Sequence, residues 1–158
     1  MPPKISLLKR TQGKTIKALY EKFHFLQDIL LPLSSLEKAL ALIENELRIY
    51  PIWLCPFVLD NLPGMLHHHN NRPEMYVDVG IYGNVVKIPY DAKTKTRQIE
   101  QFLRDERGYQ MLYADCYMSE GEFREMFDHA LYDKMRKTLD CASAFPEVYH
   151  KINRTVRV

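Results

Sequence analysis

The chain has 158 residues, 46% of them hydrophobic and 11% aromatic, and its 22 Lys and Arg against 20 Asp and Glu leave a net charge of +2. That length suits one domain, residues 1–158, able to bury a real core, and so small a charge gives no electrostatic sign of nucleic-acid binding. Six glycines are too few for a nucleotide cradle, which needs clustered glycines to let backbone approach phosphate.

Ile16, Leu19, Tyr20 and Phe23 recur on one helical face and predict a helix over about Gln12–Phe25. Gln27–Pro32 (QDILLP) reads as a short strand that Pro32 closes. Ser34 and Glu37 carry the Ser-x-x-Glu pattern of a capping box. A helix is predicted from there to Tyr50, with Leu36, Leu40, Ile43 and Leu47 as its buried stripe and Pro51 as its stop. Ile52–Leu59 reads as a strand whose Pro56 suits an edge or a bulge, and Asp60–Arg72 as a loop. Glu74–Tyr82 (EMYVDVGIY) is the clearest strand, followed by a Gly83-Asn84 turn.

A helix over about Ala92–Arg107 follows, with Ile99, Phe102 and Leu103 inward and Gly108 as the left-handed residue after its end. Tyr109–Cys116 (YQMLYADC) is read as a fourth strand. Ser119 and Glu122 give a second capping box, opening a helix through Phe127. Helices over His129–Leu139 and Pro146–Asn153 close the chain, with Pro146 in a first turn. The order β-α-β-β-α-β predicts an α+β, ferredoxin-like fold: an antiparallel four-stranded sheet with two helices on one face, plus a helical tail.

Alternation assigns Met75, Val77, Val79 and Ile81 to the face under the helices. The opposite face then carries Tyr76, Asp78 and Tyr82, joined by Trp53, Cys55 and Phe57 and by Met111, Tyr113 and Asp115. Aromatic rings interleaved with acids suit an apolar ligand fixed by a few polar groups, and the acids would repel nucleic-acid phosphates. Burial of this face by the C-terminal helices fits the same pattern. Tyr113 and Asp115, two apart on the expected strand, are candidates for polar placement or proton supply. A buried Tyr bonded to a structural Asp fits equally well.

No metal site is expected: His67, His68 and His69 are adjacent in a loop and cannot easily face one ion. Cys55, Cys116 and Cys141 are odd in number and form no Cys-x-x-Cys pair, so no disulfide framework is indicated and a reducing compartment is the simplest reading. No stretch approaches the roughly 18 apolar residues that span a bilayer, and MPPKISLLKR has no apolar signal-peptide core.

The segments QDILLP, YPIWLCPF, QMLYADCYM, EMFD, LYDKMRKTL and FPEVYHKI, in this order, resemble the C-terminal region of the delta-24-sterol reductases, the Diminuto/Dwarf-like branch of the FAD-linked oxidases of the vanillyl-alcohol-oxidase type. The resemblance runs from Pro3 to about Asn153. It implies a cap, or substrate, domain whose sheet face covers a flavin with a sterol side chain between them. It implies FAD as cofactor, NADPH as reductant, a sterol as substrate and the protein's own N-terminal FAD-binding domain as partner. It also implies association with the endoplasmic reticulum membrane through an N-terminal anchor. Anchor and FAD-binding domain are expected to lie outside this chain, which alone would be inactive and prone to self-association through uncovered apolar surface. Trp53, Phe57 and Tyr76 are the expected substrate wall, and Tyr113 and Asp115 the expected catalytic pair. The alternative reading is a stand-alone, non-catalytic ligand-binding or interaction module.

Overall fold

The computed structural model describes residue 13 and residues 22–67, 72–86 and 89–156. In chain order it contains β1 (His24–Pro32), a 3-10 turn (Leu33–Ser35), α1 (Leu36–Glu46), β2 (Trp53–Leu59), β3 (Glu74–Asn84), α2 (Ala92–Asp105) and β4 (Tyr109–Gln110). Three short helices follow: α3 (Glu120–Met126), α4 (Ala130–Thr138) and α5 (Val148–Ile152). The sheet runs β2-β3-β1-β4 and every pairing is antiparallel. With β1 and β3 central and two crossover helices, this is the expected α+β, ferredoxin-like arrangement.

One sheet face is the floor of the core. Phe25, Ile29 and Leu31 of β1 and Val77, Val79 and Ile81 of β3 are buried on it. Ala39, Ile43 and Leu47 of the first crossover and Ile99 and Leu103 of α2 close over them. Burial of about 25 cal/mol per Å² of apolar surface is the main term holding these layers. The two helices are tied at both ends, by Lys95 to Glu46 and by Ser35 and Lys38 to Glu106.

Several sequence expectations shift. Most of the helix expected over Gln12–Phe25 lies outside the described residues, and its last position, Phe25, belongs to β1. Ser34 does not cap α1: Pro32 leads into a 3-10 turn, the N-cap is Ser35, and no side chain caps it. The helix ends at Glu46 rather than at Tyr50, and its stripe is Ala39 and Ile43, continued by the buried Leu47 just past its end, with Leu36 and Leu40 half-buried. Gly83 and Asn84 extend β3 because both pair with β1. Met75 is 44% exposed, since β2 and the adjoining end of β3 reach past the helices. Pro56 does sit on an edge strand.

At the end of α2 the left-handed residue is Arg107, with φ 58°. Gly108 follows it, donating to the Leu103 carbonyl at 2.6 Å, and a Cβ there would lie 2.7 Å from Leu103 and 2.8 Å from the Leu30 carbonyl. Glycine is required for that close approach rather than for the turn. The fourth strand stops at Gln110, and the last helix begins at Val148, leaving Pro146 outside it. The capping box of Ser119 and Glu122 is formed in full.

The helical tail packs beyond α2, through Met118, Phe123, Met126, Phe127 and Tyr149. Its electrostatic anchor is Glu100, buried on α2, which accepts from the Tyr117 amide at 2.6 Å and pairs with Arg97 at 3.1 Å. Arg97 reaches on to Glu122 of the capping box at 2.5 Å. Asn153 and Tyr149 both donate to the Met118 carbonyl and fix the far end of the tail.

Candidate functional site

The second sheet face is covered at one end and open at the other. At the covered end Tyr76 of β3 donates to the Arg107 carbonyl at 3.0 Å, and Tyr109 of β4 donates to the His67 carbonyl at 2.9 Å. The Tyr76 ring lies 6.1 Å from that of Tyr109 and 6.2 Å from that of Phe57. Tyr109 in turn meets Phe127 of the tail at 5.8 Å. The loop after β2 seals this end, with the Asp128 amide donating to the Met65 carbonyl.

At the open end β3 presents Asp78, Gly80 and Tyr82, β1 presents Leu26 and Asp28, and β2 presents Trp53 and Cys55. Register places Gly80 between Asp28 and Trp53, with Asp78 opposite Cys55. Asp28 and Asp78 are therefore diagonal neighbours on one face. The Tyr82 ring lies down across Gly80, and its hydroxyl donates to Oδ1 of Asp28. A Cβ at Gly80 would come within 2.6 Å of that ring and 2.8 Å of the Asp28 carboxylate. The Tyr113 hydroxyl stands 3.3 Å from that of Tyr82, on a side chain 59% exposed.

The electrostatics of this end favour protonated acids. Asp28 is only 7% exposed, and burial, helped by the neighbouring charge of Asp78, pushes its carboxyl up to about 6. Burial raises Asp78 and Tyr82 as well. One carboxylate oxygen of Asp78 is buried without a hydrogen-bond partner among the described residues. Asp28 is thus a proton-holding group beside a second acid and an apolar, aromatic surface, and at about 6 it can donate or accept a proton near neutral pH.

The five sequence-predicted site residues divide. Trp53 is 60% exposed at the open end, and Phe57 and Tyr76 lie at the covered end, where Tyr76 is fully buried. Tyr113 reaches the open end, but from a turn rather than a strand: after Gln110 the chain bends, with the Ala114 amide donating to the Met111 carbonyl. Asp115 goes elsewhere. Its carbonyl accepts from the amides of Gln27 and Gln110, both on the helix-covered face, and its carboxylate lies 3.5 Å from Arg154. The structure thus does not set Tyr113 and Asp115 side by side. The acid that Tyr113 approaches, through Tyr82, is Asp28, which sequence reasoning passed over. Its signal was a lone carboxylate in HFLQDILLP, at the same parity as Leu26 and Leu30.

Among the described residues no group of three or more His, Cys, Asp or Glu is arranged to hold a metal ion, and His68 and His69 lie outside them. The described residues do not fit a dinucleotide diphosphate either. The close approaches at Gly80 and Gly108 are filled by the chain's own Tyr82, Asp28, Leu103 and Leu30. No described helix is long and apolar enough to cross a membrane.

No protein-family model matches the chain. No solved structure matches it. It is 51% identical over 157 residues to a human Delta(24)-sterol reductase, 47% identical to a Delta(24)-sterol reductase homolog of Caenorhabditis elegans, and 37% identical to the Arabidopsis thaliana Delta(24)-sterol reductase. These matches cover 99%, 99% and 96% of this chain and 30% of each relative, so the chain spans about 30% of their length. From one end to the other, the chain is similar to the C-terminal region of the Delta(24)-sterol reductases.

Proposed function

We propose that residues 1–158 form the substrate-covering cap domain of an FAD-dependent Delta(24)-sterol reductase, which saturates a sterol side-chain double bond with NADPH as the reductant. The observation that carries this reading is the open end of the sheet. There Trp53, Leu26 and Tyr82 offer exposed apolar surface beside the buried Asp28 and the half-buried Asp78, in a chain half identical to a protein named for that activity. A sterol side chain is an apolar ligand that such a face can hold by contact and orient by few polar groups. Trp53 would line it, with Phe57 and Tyr76 forming the floor beyond. Asp115, paired with Arg154, would support the turn that carries Tyr113.

FAD would be held by another part of the polypeptide, because no phosphate cradle exists among the described residues. When bound, it would supply hydride chemistry; this chain supplies the apolar wall, the exclusion of water and the placement of a proton. The partners would be the sterol and the FAD-binding domain. An endoplasmic reticulum address would come from the membrane-associated N-terminal region of the complete protein. Leu54, Val58 and Met75, exposed on the edge strand and its neighbour, give the isolated chain an uncovered apolar margin suited to a domain partner or to self-association.

The test is kinetic. In the complete polypeptide carrying this segment, Trp53→Ala should raise the sterol KM by about tenfold, the loss of one large buried ring contact. An unchanged KM would remove the sterol from this face. Retention of FAD by the isolated chain would contradict the assignment of the cofactor to the rest of the protein.

A further inference from the structure

We propose that Tyr113 donates the proton in the double-bond reduction and is reprotonated through Tyr82 by Asp28. This rests on the reductase reading above and adds the acid that reading leaves unassigned.

The geometry gives a continuous path of three groups. Asp28 is bonded to the Tyr82 hydroxyl, and that hydroxyl stands 3.3 Å from the hydroxyl of Tyr113. Of the three, Asp28 is the buried end and Tyr113 the exposed end, so the path leads from a desolvated acid to the surface where an apolar ligand can lie. Gly80 makes the path possible, because any larger residue would lift the Tyr82 ring from the sheet. The groups that face Asp28 are Asp78 and Tyr82 from β3, Tyr113 from the turn after β4, and Cys55 from β2 next to Asp78. None is a cation. Among the described residues His24 stands farther along the same face of β1, and the Asp78 carboxylate favours a protonated Asp28.

The step balances simply. A reduced cofactor held by the rest of the polypeptide would supply the hydride for one carbon of the C=C bond. The other carbon takes the proton of the Tyr113 hydroxyl, and the π bond is consumed as two C–H bonds form. Tyr113 recovers a proton from Tyr82, and Tyr82 from the Asp28 carboxyl. Asp28 is left as a carboxylate accepting from the Tyr82 hydroxyl, the arrangement seen here, and regains its proton from water. Tyr113 is the catalytic residue in this scheme; Tyr82, Asp28 and Gly80 are positioning residues.

The experiment uses the complete reductase polypeptide carrying this segment, a sterol with the side-chain double bond, and single-turnover as well as steady-state rates. Tyr113→Phe should lower the rate of sterol reduction by about 100-fold or more, with sterol KM within about threefold. Asp28→Asn, which keeps a hydrogen-bonding group for Tyr82, should lower the rate and abolish the decline of activity as pH rises through about 6. Tyr82→Phe should match Asp28→Asn. Retained cofactor and a single cooperative melting transition certify folding of each variant. Turnover within threefold of the parent in Tyr113→Phe, or an intact pH limb in Asp28→Asn, overturns the proposal while leaving the reductase reading in place. Failure of the parent polypeptide to reduce the sterol overturns both.

Discussion

The hydroxyl of Tyr82 reaches diagonally across the β1–β3 pair, over Gly80, to the carboxylate of Asp28. Among the described residues it is the one side-chain hydrogen-bond partner of this buried carboxyl, which sits beside a second acid. The carboxyl is therefore held at about 6, against 3.8 for the ordinary group. The folded state binds this proton more tightly than the unfolded state. The stabilisation is full below the unfolded value and is lost as pH rises through about 6. Parent and Asp28→Asn should differ in urea midpoint by a pH-dependent amount, the variant gaining on the parent between pH 4.5 and 7.5 by on the order of 2 kcal/mol. A difference that does not change with pH would show that the carboxyl titrates as it does in the unfolded chain.

Gly80→Ala should strike the same contact sterically. Its methyl group would sit 2.6 Å from the Tyr82 ring, closer than unbonded carbons come. The ring must swing away, leaving Asp28 buried without its donor. A loss of about 2 kcal/mol is expected, from overpacking together with the unsatisfied acid. Chemical denaturation measures it. Combining Gly80→Ala with Tyr82→Phe should give less than the sum of the two losses, because both remove one interaction.

Glu100 offers a test of the joint between core and tail. It is completely buried, and burial raises its carboxyl despite the Tyr117 amide and Arg97. Arg97→Ala would leave that charge without its cation and should cost about 3 kcal/mol, whereas Glu100→Gln should cost less because the amide can still accept from Tyr117. Equal costs would show that the ion pair carries no weight. Since Arg97 also joins Glu122 of the capping box, the first loss should include fraying of α3.

The two capping boxes show what the sequence made legible. Both Ser34 and Ser119 stand three residues before a Glu. Ser119 completes the motif because the chain enters α3 extended, with ψ 163°. Ser34 does not, because the 3-10 turn after Pro32 moves the helix start past it. Ser119→Ala should thus cost about 1 kcal/mol and Ser34→Ala close to nothing, as thermal melts can resolve. Element types and the topology followed from periodicity, since a split β-α-β core declares itself through alternation and amphipathic stripes. The fourth strand was overrun for a different reason. Gln27 and Gln110 draw the Asp115 carbonyl toward the helix side, a contact spanning 88 residues that no local pattern encodes. That same bend is what separates Asp115 from Tyr113, so the candidate acid changed while the tyrosine remained.

The cysteines can report on the open face directly. Cys55 is exposed on β2 opposite Asp78, Cys141 is half-buried, and Cys116 is buried with its thiol pushed up to about 12 by desolvation and by Glu100. The thiolate is the reactive form, so an alkylating reagent at pH 7.5 should modify Cys55 first, Cys141 more slowly and Cys116 only on unfolding. If the open end holds a sterol side chain, a bound Delta(24) sterol should slow labelling of Cys55 severalfold and leave Cys141 unaffected. The ratio of the two rates cancels any general effect of the lipid on the reagent. Trp53→Ala should weaken that protection in proportion to its loss of sterol affinity. Equal slowing at both cysteines, or none at Cys55, would place the sterol away from the Asp28–Tyr82 end of the sheet.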